Sequence, residues 1–124
     1  MNNIFIIGEA GVNHNGRLRI AKKMIDAACN AGVNAVKFQT FTAEYVMTKN
    51  APKALYQKKN TGKRESQFAM IKKLELNLNA HKELIHYCRK KNIMFLSSAF
   101  DLKSIELLHK LGVSVFKIPS GEIT

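Results

Sequence analysis

Acidic residues are scarce in this chain. Nine Asp and Glu face twenty Lys and Arg among 124 residues, leaving a formal charge of +11. The features that would read a nucleic acid are missing as well: there is no recognition-helix pattern, no zinc spacing and no aromatic stacking motif. Many of the cations fall between Lys49 and Lys73, and others line the outer faces of the expected helices. The charge is therefore read as solvated surface or as a site for a small anion, with no nucleic acid as partner. No apolar run approaches the roughly 20 residues that cross a bilayer, and Met1-Asn2-Asn3 leads into a short apolar strand rather than a signal peptide. Those absences point to the cytoplasm and exclude a membrane partner. Cysteine occurs only at Cys29 and Cys88, each in a helix-like stretch among apolar neighbours, so both are expected as buried free thiols outside the chemistry. No two histidines have metal-ligand spacing.

What remains is an alternation of short apolar strands and amphipathic helices. Ile4-Phe5-Ile6-Ile7 is a continuous apolar run ending in Gly8-Glu9-Ala10-Gly11, as expected of a buried parallel strand and its turn. After the polar Asn13-His14-Asn15-Gly16, the residues Ala21, Met24, Ile25 and Ala28 recur at helical spacing, with Gly32 at the C-terminal cap. Val33 to Phe38 reads as a second strand. A long polar connection follows, then a helical segment around Phe68, Ile71 and Leu74, and a helix capped by Asn79 that carries Leu84, Tyr87 and Cys88. Ile93 to Leu96 is a third strand. Asp101 caps a helix with Ile105, Leu108 and Leu111 inward and Gly112 at its end, and Val113 to Ile118 supplies a fourth strand. Strict alternation of this kind predicts a parallel sheet covered by helices.

Two junctions repeat. Lys37 and Lys117 each lie five residues after a helix-ending glycine, inside an otherwise apolar strand. A buried ammonium must be paired or meet an anion, so two in corresponding positions suggest a shared anionic ligand. Other polar residues gather where strands finish: Glu9 after the first, Gln39 with Lys37 in the second, Ser97 and Ser98 after the third, Ser120 and Glu122 after the fourth. Catalytic groups of barrel enzymes occupy that end. A plainer account is also open, in which these are strand-end turns or structural ion pairs such as Glu9 with Lys37. His14 is read as structural in preference to a ligand or proton carrier, and His81, His86 and His109 as surface or packing residues.

Five stretches, in order and with the family's approximate spacing, resemble the sialic acid synthase family: Glu9 to Gly16, Ala35 to Phe41, Ala51-Pro52-Lys53-Ala54 with Tyr56-Gln57, Phe95 to Asp101, and Lys117 to Thr124. The resemblance implies a (β/α)8 TIM barrel, of which 1–124 would be the amino-terminal half, about four βα units, without the second half-barrel or the antifreeze-like carboxy-terminal domain. It implies condensation of phosphoenolpyruvate with an N-acyl-hexosamine such as N-acetylmannosamine. Family usage places Lys37, Ser98, Lys117 and Ser120 on phosphoenolpyruvate and Gln39, Phe100 and Glu122 toward the sugar, with Glu9 and Glu122 as acid/base candidates. A divalent metal, Mn or Mg, is expected for the full-length enzyme with no ligand in this chain, and the missing half-barrel or a second subunit is the expected partner. Alone, the chain is expected to be inactive. The family's Ser-Thr-Pro-Phe-Asp stands here as Ser97-Ser98-Ala99-Phe100-Asp101, keeping a hydroxyl but losing the proline that stiffens the turn. A non-catalytic anion-binding half-barrel and another phosphoenolpyruvate-dependent aldol synthase are the competing readings.

Overall fold

The computed structural model describes residues 4–47 and 66–123. The cation-rich positions Lys49 to Arg64, the Ala51-Pro52-Lys53-Ala54 and Tyr56-Gln57 stretches, Met1-Asn2-Asn3 and Thr124 lie outside them. Three strands, β1 (Ile7–Gly11), β2 (Ala35–Thr40) and β3 (Met94–Ala99), form a parallel sheet in the order β1-β2-β3. The helices are α1 (Leu18–Asn30), α2 (Ala43–Val46), α3 (Gln67–Leu74), α4 (Leu78–Lys90) and α5 (Leu102–Lys110). This is α/β architecture with an open parallel sheet, the arrangement of part of a (β/α)8 barrel. No helix among the described residues is long and apolar enough to cross a membrane.

Alternation along the strands sends Val36, Phe38 and Phe95 to one face, where they meet Ile25 of α1, Leu84 and Cys88 of α4 and Leu108 of α5 in a single cluster. Full burial of each large side chain is worth about 1.5–3 kcal/mol, so the helix-facing side carries most of the stability. Cys88 is buried and its thiol is pushed up to about 12 by loss of water, while Cys29 is half-buried; both are free. Ile105, expected inward on α5, is exposed, and only Leu108 of its apolar stripe is fully covered.

Two strands differ from expectation. β1 begins at Ile7, so Ile4, Phe5 and Ile6 are exposed and unladdered. The pairing of Ile7 with Ala35 explains this: the residues opposite Ile4 to Ile6 belong to the turn through Gly32, whose φ is +72°. Ile6 is used at the turn instead, its carbonyl accepting from Asn34 and Ala35 and its N–H donating to the Asn34 side chain. The expected fourth strand, Val113 to Ile118, is reduced to one parallel bridge between Lys117 and Ser98. The cap of α4 is Asn77 rather than Asn79, with its side-chain oxygen accepting from Ala80 N–H at 2.9 Å. Asp101 caps α5 as expected and also accepts from Thr42 N–H at 2.8 Å, which holds the proline-free turn after β3.

A buried polar chain runs between sheet and helices. Asn77 O can only accept, so His81 donates to it through Nδ1 at 3.0 Å and takes the Thr40 hydroxyl on Nε2 at 2.9 Å. The Thr40 and Ser97 oxygens lie 2.7 Å apart. His14, in the turn after β1, accepts from Gly16 N–H on Nδ1 at 3.0 Å. Its Nε2 is buried without a partner among the described residues. Burial lowers the affinity of both imidazoles for a proton; His81 adds repulsion at His14, and the Asn77 carbonyl partly opposes the effect at His81.

The same turn must be tight, because Gly16 has φ +70° and a Cβ there would collide with the Lys73 carbonyl. Gly32, at φ +72°, has nothing within 4 Å. Gly32→Ala should therefore cost only the left-handed backbone penalty, about 1–2 kcal/mol, and Gly16→Ala clearly more, as read from urea midpoints. Acid should destabilise the fold. Folded-state affinities below the ordinary histidine value of 6.5 mean that the unfolded chain binds protons first, so stability is complete above about pH 6.5 and falls as pH drops below it. Each group can contribute at most about 1.4 kcal/mol per pH unit, and His14→Gln should lessen the slope; a midpoint flat from pH 7 to 5 would refute the assignment.

Candidate active site

The opposite sheet face is polar. Because side chains alternate, Lys37 and Gln39 of β2 point away from the helices, beside Glu9 of β1 and Ser98 of β3 in the paired register. Glu9 Oε2 lies 2.6 Å from Lys37 Nζ, and the same ammonium donates to Ser98 Oγ at 3.4 Å. The lysine side chain is only 14% exposed, whereas that of Glu9 is 50% exposed. The plainer account of Glu9 and Lys37 as an ion pair is therefore correct as geometry. A pair with its carboxylate open to water can still exchange that partner for an incoming anion.

Gly11 makes room for this cluster. It sits at a bulge where the β1–β2 register shifts, with φ +55°. A Cβ at Gly11 would stand 3.2 Å from Glu9 Oε1 and 3.9 Å from Gln39 Nε2, so the glycine lets both side chains lie over the strand end. Beyond Gln39 a cavity of about 360 Å³ opens, lined by Phe100 and by Val46, Met47, Met70 and Ile71 of the α2–α3 region. Gln39 and Phe100, both expected toward the sugar, thus share one pocket. The aliphatic and thioether walls were not foreseen; only the helical spacing of Phe68, Ile71 and Leu74 hinted at an apolar face there.

Other expected residues are distributed differently. Ser97 and Ser98 lie inside β3 rather than after it, and they point to opposite faces, Ser97 into the helix layer with Thr40 and Ser98 to Lys37. Lys117 neighbours Ser98 through the backbone bridge, yet it is exposed and its Nζ donates to the Ile118 carbonyl at 2.7 Å. The expectation of two buried lysines thus holds for Lys37 alone, because β2 is flanked by β1 and β3 while Lys117 joins the sheet through a single bridge. Ser120 and Glu122 sit exposed in a short 3-10 turn, Ser120–Glu122, whereas the partners of Lys37 are Glu9 and Ser98. His14 and His81 are both buried in the supporting layer, so His81 is a hydrogen-bonded core residue rather than simple packing. Among the described residues no group of three His, Cys, Asp or Glu side chains is placed to hold a metal ion.

Comparison with known proteins gives this geometry a context. The chain is 56% identical over its full 124 residues to the N,N'-diacetyllegionaminic acid synthase of Campylobacter jejuni and covers 37% of that protein. It is 49% identical over 120 residues to the synthase of the same name from Legionella pneumophila, covering 97% of this chain and 34% of that one. It thus spans about a third of the length of these curated relatives. A solved N-acetylneuraminic acid synthetase from Leptospira borgpetersenii superposes over 94% of this chain and 36% of its own with a TM-score of 0.74 at 32% identity. The NeuB family model matches residues 24–124, and with relatives that make sialic-acid-type nonulosonates the chain belongs to the NeuB family.

Proposed function

We propose that the chain carries the phosphoenolpyruvate-binding part of a nonulosonate synthase site, acting with an N-acyl-hexosamine as acceptor. The observation that supports this most is the nearly buried Lys37 ammonium, held between Glu9 and Ser98 on the polar face of the sheet. An anion entering there gains a charge-assisted bond from Lys37 and a hydroxyl bond from Ser98 in surroundings with little competing water. Phosphoenolpyruvate presents a phosphate and a carboxylate to such a pair. In the reaction proposed, carbon 3 of the enol bonds to the aldehyde carbon of the open-chain sugar. Water then adds at carbon 2, and the tetrahedral intermediate expels phosphate.

Glu9, released from Lys37 as the donor binds, is within reach to orient the aldehyde or move a proton at its oxygen. Gln39 and Phe100 face the acceptor. Lys117, Ser120 and Glu122 are proposed to approach the donor from the position beside β3, where the Lys117–Ser98 bridge sets their segment, with Glu122 a second acid/base candidate. No step is assigned to a metal. The names of the relatives favour an acceptor bearing two acylamino groups over N-acetylmannosamine itself.

Phosphoenolpyruvate titrated into the chain by calorimetry tests the reading. Lys37→Met keeps the length and removes the charge, and it should weaken binding by about tenfold or more. Ser98→Ala should weaken it about fivefold. Equal affinity of wild type and Lys37→Met would refute the assignment.

A further inference from the structure

The contact from Lys37 Nζ to Ser98 Oγ is long at 3.4 Å, so a slight displacement of β3 would break it. Beyond β3 the described sheet offers Ser98 a single bridge, to Lys117, and its main support comes from β2. In that register Gln39 stands opposite Ser98, Phe38 opposite Ser97 and Thr40 opposite Ala99. The hydroxyls of Thr40 and Ser97, 2.7 Å apart, therefore cross the Gln39–Ser98 pair diagonally on the helix side of the sheet. Thr40, Ser97 and His81 are each no more than 2% exposed, so water cannot replace a bond that any of them loses.

The direction of this buried polar row is set from α4. Asn77 O takes the Nδ1 proton of His81, and burial disfavours a second proton on the ring, which leaves Nε2 as an acceptor. Thr40 donates its one proton there and turns its lone pairs to Ser97. The Ser97 hydroxyl also has the Ser98 carbonyl in reach, at 3.3 Å along its own strand. While His81 accepts, the shorter bond to Thr40 is the one made, and it ties Ser97 across to β2. Without that acceptor the Thr40 proton turns to Ser97, and the Ser97 proton falls on the Ser98 carbonyl. That bond draws the Ser98 peptide toward the helix side, away from Lys37.

We propose that His81 is a positioning residue for the anion site, holding the Ser98 hydroxyl against Lys37 through Thr40 and Ser97. The ligand used to test this rests on the synthase reading; the polar row does not.

Nitrogen-15 NMR of the 124-residue chain labelled at histidine reads the direction of the row. His81 should carry its proton on Nδ1, and a proton on Nε2 would overturn the proposal. Calorimetry with phosphoenolpyruvate reads the consequence. Thr40→Val keeps the shape, removes the link and should weaken binding about threefold. Beside Ser98→Ala it should add nothing, because it acts through that hydroxyl. No effect alone, or a full threefold on top of Ser98→Ala, would sink the assignment. His81→Leu should match Thr40→Val, whereas His81→Gln, whose amide oxygen can accept from Thr40, should stay within about twofold of wild type. Equal losses in the two His81 variants would count against positioning. If the wild-type chain binds no phosphoenolpyruvate, the synthase reading alone falls. The same pairs are then compared by the Lys37 ammonium NMR signal, which Thr40→Val should move only while Ser98 is present; a signal that stays put would overturn the proposal.

Discussion

An ammonium set inside a sheet must be neutralised. Lys37 projects from the middle strand, with a strand on either side, so water reaches little of it. Glu9 answers from β1 and Ser98 from β3, and each can do so only if the parallel register is right to the residue. A slip by one would turn Lys37 into the apolar layer among Ile25 and Leu84, where no carboxylate waits. The bulge at Gly11 follows from the same need, since it leaves the space in which Glu9 and Gln39 lie. Charge placement on one face and apolar packing on the other are thus two readings of one register.

Much of this was legible in the letters. Alternating apolar runs and helical periodicities gave the order of elements, and Gly32 and Gly112 stop helices in left-handed conformations as their positions suggested. Lys37 stood out because a lysine within an apolar strand calls for a partner, and the partner considered, Glu9, is the one found. Phe100 and Gln39 were grouped through the family resemblance, and the cavity brings them together.

The remainder depended on relations that local sequence does not carry. Ile4 to Ile7 looked like a strand because of hydrophobicity, but a strand needs a laddered neighbour, and β2 starts too late to pair with Ile4. Val113 to Ile118 follows a helix-ending glycine as β2 does and is as apolar, yet it meets β3 through the single Ser98–Lys117 bridge, and Lys117 stays in water. Ser97 and Ser98 are indistinguishable as letters, and only the pleat separates the hydroxyl that meets Thr40 from the one that meets Lys37. His81 gave no hint of its role because its partners, Thr40 and the Asn77 carbonyl, come from two other segments.

The contact between Lys37 and Ser98 spans 61 positions of chain. Bringing together residues so far apart along the chain carries a loop-closure entropy cost. The helices rest on local hydrogen bonds, whereas the Glu9–Lys37–Ser98 cluster needs both strand pairings. The Glu9–Lys37–Ser98 cluster is therefore a reporter of completed strand pairing, to which helix content as read by circular dichroism is blind.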